Sequence, residues 1–144
     1  MGTTTFSGPI KAGSVREGAS ANTGFAVMAQ SKVIDIIGAD AGDQVCAIVP
    51  ANSQIIDVIL NVTTVNNDSG AATVSVGTSG DPNAFLDAVN VKALATTRGT
   101  LDTEATNVGT SDLSVLADFA AASDDGTTGA ATVTVVYMQN NNLS

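Results

Sequence analysis

The chain has 144 residues and a mass of 14.3 kDa, enough for one domain with a real hydrophobic core. Apolar residues make up 44% and charged residues 13%, about half the ~25% of an ordinary soluble domain, and mean hydropathy is +0.26. With no His and one Cys there is no Ser-His-Asp triad, no Cys-His dyad, no histidine metal ligand, no intrachain disulfide and no Cys-rich zinc site. A net charge of −9 argues against nucleic acid or an anionic membrane as a partner, because neither phosphate backbone nor headgroup would be neutralised.

Charge is divided along the chain. Residues 1–32 carry Lys11, Arg16 and Lys32 against Glu17, whereas residues 33–144 carry Lys92 and Arg98 against thirteen acids. Residues 1–24 are rich in Gly, Ser, Thr and Ala with scattered apolar residues at Phe6, Ile10 and Val15. This composition fits a disordered terminus or an extended arm that orders against a neighbouring acidic or apolar surface, and Phe6, one of four Phe, favours the arm. The start lacks the basic end and apolar stretch of a signal peptide, and no run reaches the ~18 apolar residues of a membrane span. The expectation is a soluble chain made in the cytoplasm.

From Phe25 onward the pattern is one of strands. Residues 25–30 and 33–37 predict two short strands, the second ending in the Gly-Ala-Asp-Ala-Gly-Asp loop at 38–43. Residues 45–49 form another, stopped by Pro50, with a turn over 50–53. The longest run is 54–65, where Ile56, Val58, Leu60 and Val62 share one apolar face and Ile55, Asp57, Ile59, Asn61 and Thr63 the other. Asn66 to Gly70 reads as a hairpin-type loop, since Asn, Asp and Gly tolerate positive φ, and 72–76 returns as a strand.

Asp81 followed by Pro82 predicts an N-cap and first position of a short helical turn over 83–88. Residues 89–95 and 99–105 predict weaker, partly exposed strands. Residues 112–119 alternate, with Leu113, Val115, Ala117 and Phe119 on one face. A turn at 124–129 leads into a closing strand at 131–138 and a polar tail at 139–144. Seven to nine short strands with almost no helix predict an all-β fold, a single antiparallel β-sandwich of jelly-roll type over 25–144, preceded by the arm at 1–24.

Carboxylates are the plentiful reactive groups, so an acid/base pair is the enzyme class to weigh. Asp57, Asp118 and Glu104 lie on different predicted strands and nothing local brings two together. Asp40 and Asp43, and Asp124 and Asp125, sit in Gly-containing loops without the spaced D-x-D-x-D-G pattern of a calcium loop. Cys46 is central in an apolar strand and reads as a small buried hydrophobe. No catalyst, cofactor or metal is expected. A glycan-recognition module using loops 66–70 and 77–83 would want an exposed aromatic platform, and the chain has one Tyr and no Trp.

Two stretches carry a resemblance. Thr3 to Gly13, continuing through Arg16 to Phe25 and Val27 to Gln30, resembles the opening of small β-rich structural proteins of tailed bacteriophages, marine phages especially. Val49 to Asp57, followed by Val74 to Gly77, resembles the body that follows that opening. The class is that of capsid decoration, or cement, proteins. The resemblance implies a virion protein on the outer surface of the head, a homotrimer bound to the major capsid protein and bracing its neighbouring subunits. A head-fibre or tail component touching the host surface is the alternative. On this expectation the arm is the attachment device. Phe6, Ile10, Val15 and Phe25 supply apolar anchors, and Lys11 and Arg16 pair with acidic residues of the shell.

Overall fold

The computed structural model describes residues 25–38 and 42–140. They form eight strands: β1 (Phe25–Asp35), β2 (Gln44–Val49), β3 (Gln54–Thr64), β4 (Ala72–Gly77), β5 (Leu86–Asn90), β6 (Thr96–Arg98), β7 (Leu113–Ala121) and β8 (Ala130–Asn140). The one helical element among the described residues is a 3-10 turn at Thr103–Ala105.

Two four-stranded antiparallel sheets face each other, one ordered β1-β8-β3-β6 and the other β2-β7-β4-β5. The first strand pairs with the eighth, the second with the seventh, the third with the sixth and the fourth with the fifth. That nesting is a long hairpin rolled up once, the jelly roll predicted from the strand spacing. Consecutive strands therefore alternate between sheets, except β4 and β5, which are neighbours in the second. The loop at 66–70 is accordingly no hairpin: it carries the chain from β3 in one sheet to β4 in the other.

The core is built from the inward alternation of both sheets. Ile34, Ile55, Val58, Leu60, Val62, Ala131, Val133, Val135 and Tyr137 face in from the first sheet, and Val49, Val74, Val76, Val115, Ala117 and Phe119 from the second. Aliphatic side chains fill most of the space, as so few aromatics require.

Several strand boundaries differ from the sequence reading. The two strands expected at 25–30 and 33–37 are one, because Ser31 and Lys32 continue the ladder opposite Thr134 and Val133, with Ser31 Oγ and Thr134 Oγ1 2.5 Å apart. On β3 the register against β8 steps from Ile55 opposite Tyr137 to Asp57 opposite Val136. Ile56 is the extra residue of this bulge and turns outward, so Ile55 takes the core position expected of Ile56.

No helix forms at 83–88. The Asp81 carbonyl accepts from the N–H of Thr78 (2.8 Å) and of Ala84 (3.2 Å), and Phe85 N–H then pairs with Val76 O at 2.9 Å. Burial of Phe85 and Leu86 against the core outweighs the local signal from Asp81 and Pro82. Gly77 is required under this turn, since a Cβ there would overlap the Asp81 and Pro82 backbone. The strand expected at 89–95 lies earlier, as β5, and the one expected at 99–105 is absent. Gly99 N–H donates to Val58 O (2.7 Å) and Thr100 N–H to Phe85 O (2.9 Å), so the chain leaves β6 toward the other sheet. At the far end β8 runs two residues past its expected limit, to Asn140.

Candidate interaction surface

Strand alternation gathers the loops at two ends of the sandwich. At one end lie the connections β1–β2, β3–β4, β5–β6 and β7–β8; at the other lie β2–β3, β4–β5 and β6–β7. Loops 66–70 and 77–83 are thus at opposite ends and form no common recognition surface. Phe25 opens β1 opposite Asn140, at the second end, so residues 1–24 join the sandwich beside the β2–β3 turn. Phe6, Ile10, Lys11, Val15 and Arg16 lie outside the described residues, and Phe25 is placed by its backbone alone.

The first end is closed by a polar network built on two buried side chains, Asn66 and Asp68. Asn66 Nδ2 donates to Ile36 O at 2.7 Å, and its Oδ1 accepts Asp68 N–H at 2.7 Å. The Asp68 carboxylate accepts Gly70 N–H (2.7 Å) and Asp125 N–H (3.1 Å). Asp125 in turn accepts Ser69 N–H at 2.8 Å, and this bond holds its carboxyl below the ordinary carboxylate value. Lys92 Nζ donates to the carbonyls of Asp68 (2.5 Å) and Gly70 (2.6 Å). Asp125, Asp68 and Lys92 thereby lock the loops to one another through backbone N–H and carbonyl groups. No group of three His, Cys, Asp or Glu able to hold a metal occurs among the described residues.

The acids weighed for catalysis are dispersed. Asp57 is on β3 in an ion pair with Arg98, Asp118 is on β7 in the other sheet, and Glu104 is in the 3-10 turn. Cys46 is the extra residue of a bulge in β2 and is buried; desolvation pushes its thiol up to about 11, opposed by a backbone bond at Ala117 and by the charge of Lys32. That thiol is a packing group.

The distinctive surface lies along β1 and β2, the edge strands of the two sheets on one flank. Two glutamines join these edges reciprocally. Gln30 on β1 donates through Nε2 to Ile48 O (2.7 Å) and accepts Ile48 N–H on Oε1 (3.1 Å). Gln44 on β2 accepts Asp35 N–H on Oε1 (3.0 Å) and donates through Nε2 to Asp35 O (2.8 Å). Each amide presents one N–H and its oxygen to the facing backbone, so it replaces a missing strand partner at an otherwise open edge. Gln30 Nε2 also reaches Tyr137 Oη (3.0 Å), tying the clasp to the core.

Around this clasp exposed large apolar side chains gather. Val27 (64% exposed), Met28, Val33 (65%), Ile37, Val45 and Ile48 belong to β1, the residues just after it, and β2; of the other exposed large apolar residues described, Ile56, Val65 and Leu94 lie elsewhere. The sequence reading did not single out this flank. A partial signal was there, since β2 is almost wholly apolar and β1 carries apolar residues on both faces while both stand at sheet edges.

Neither a family model nor a curated protein sequence matches the chain. Solved structures do. The chain is similar to one in the acidic stable capsid structure of Helicobacter pylori bacteriophage KHP30, with TM-score 0.63 and 16% identity over 82% of this chain and 94% of that one. It is similar to a chain of the cyanophage Pam1 capsid asymmetric unit, with TM-score 0.56 and 14% identity over 95% and 97%. A third is a chain of the capsid of Ralstonia phage GP4, with TM-score 0.53 and 19% identity over 89% and 90%. At these identities the fold is what is shared.

Proposed function

We propose that this protein is a virion structural protein, a capsid decoration or cement protein that binds the outside of a phage head as a homotrimer and braces neighbouring major capsid subunits. The observation that carries the reading is the jelly roll itself, matched over nearly the whole length of chains from three phage capsids. Those chains are covered almost end to end, so each is little more than one such sandwich. A small, acidic, His-free sandwich suits adhesion better than catalysis, and many weak contacts on one lattice sum to firm attachment.

In this reading the arm at 1–24 is the tie to the shell. Phe6, Ile10, Val15 and Phe25 bury apolar surface, and Lys11 and Arg16, set against the acidic remainder, meet acidic residues of the major capsid protein. The test is binding of the full-length chain to undecorated heads, measured for the wild type and for the Phe6→Ala/Lys11→Glu/Arg16→Glu variant. A loss of at least tenfold in affinity is expected; unchanged affinity removes the arm from the mechanism.

A further inference from the structure

We infer that the glutamine-clasped flank of β1 and β2 is the surface through which copies of this chain join, the β1 side of one copy against the β2 side of the next. The inference rests on the oligomeric shell protein proposed above and specifies which surface makes the oligomer.

Three observations carry it. The first is the concentration of exposed apolar side chains there: Val27 and Val33 on the outer face of the first sheet, Val45 and Ile48 on the second, and Met28 beside the clasp. Clustered apolar surface of this kind on a soluble subunit marks a contact site.

The second is charge. The chain carries −9, so two copies repel over most of their surface. β2 has no charged residue, and β1 has Lys32 and Asp35, which sum to zero. An identical copy meets no like-charge penalty on this flank. A basic partner would gain nothing from it, whereas the acidic remainder would attract one.

The third is shape. The apolar residues form two sides about one edge, one on each sheet, and the clasp fixes the edge between them. The sheet edges away from this flank are β6, three residues long, and β5, broken by a register shift and by Ala88 at φ 44°. Such edges are poor templates for a neighbour. Two unlike sides meeting at an edge suit a closed ring, in which every copy gives one side to the copy before it and the other to the copy after it. Because Phe25 begins β1, this arrangement also starts every arm at the rim of the shared contact.

The experiment is sedimentation of the full-length chain and of three variants, Val33→Asp, Ile48→Asp and, as a control off the flank, Leu94→Asp, which replaces a side chain 68% exposed. Circular dichroism on each separates dissociation from unfolding. The wild type and Leu94→Asp are expected to sediment as one closed oligomer, and Val33→Asp and Ile48→Asp as folded monomers. Mixed one to one, the two monomeric variants are expected to form a heterodimer, since one retains an intact β2 side and the other an intact β1 side. A wild-type chain that is monomeric yet decorates heads overturns the flank and leaves the shell reading standing. Folded Val33→Asp and Ile48→Asp that stay oligomeric, or a mixture that gives no heterodimer, overturns it as well. An oligomer that both variants dissociate but that fails to bind heads supports the flank and removes the shell reading.

Discussion

The side-chain amide of Gln30 and the backbone of Ile48 exchange two hydrogen bonds, Nε2 to O at 2.7 Å and N to Oε1 at 3.1 Å, so that a side chain from one sheet completes the edge of the other. Gln44 does the same for Asp35 in the opposite direction. The sandwich is thereby stitched along the flank where its two sheets would otherwise part.

Gln30→Leu keeps the side chain's bulk and removes both bonds. Ile48 then regains water for its N–H and C=O, so the loss is moderate, about 1–2 kcal/mol. Chemical denaturation at fixed protein concentration measures it, and a variant as stable as the wild type would show that the clasp is ornamental.

Lys92 holds two loop carbonyls, those of Asp68 and Gly70. Lys92→Met preserves the stem and deletes the ammonium, for an expected cost of about 1.5 kcal/mol, the low end for hydrogen bonds to a charged group because Lys92 is exposed. Because the network links several loops, amide exchange should quicken at 66–70 and at 122–128 together. Faster exchange at 66–70 alone contradicts a shared lock.

The Cys46 thiol, raised from 9.0 to about 11 by burial, is protonated at pH 8 in all but roughly a thousandth of folded molecules. A thiol-specific reagent at pH 8 should react at the rate of unfolding. The folded value lies above the unfolded one, so the linked stability is complete below pH 9 and is lost as pH rises toward 11. Cys46→Ala should flatten the stability profile across that window, whatever its own packing cost.

Asp125 shifts the other way. Its carboxyl is held below 3.8, chiefly by the Ser69 N–H, so its contribution is present above that pH and disappears as pH falls through the depressed folded value. Asp125→Asn should leave stability near neutrality little changed in its pH dependence while making the decline below pH 4 shallower. An identical acid limb in both proteins contradicts this role.

What could be read from residues alone was what period two and turn chemistry dictate. The alternation of Leu113, Val115, Ala117 and Phe119 placed β7 and its buried face correctly, because an evenly pleated strand admits no other reading. Ile56 was misplaced, since a bulge is decided by the register of β8, which is distant in sequence. Asp81 and Pro82 gave a local helix signal that lost to pairing of Phe85 with Val76, a tertiary choice. Asn66 and Asp68 read as residues of a hairpin-type loop and are buried, because four connections converge on them only once the hairpin is rolled. The flank was hidden for the same reason: the residues of β1 and β2 reveal their exposure only when both strands are known to lie at edges.

The most direct measurement is cryo-electron microscopy of the intact particle that contains this chain. The account predicts copies over the outside of the head at three-fold or quasi-three-fold positions, joined flank to flank, with residues 1–24 lying against the major capsid protein. Density confined to the tail or to a single vertex would contradict it and would make the protein a fibre or tail component.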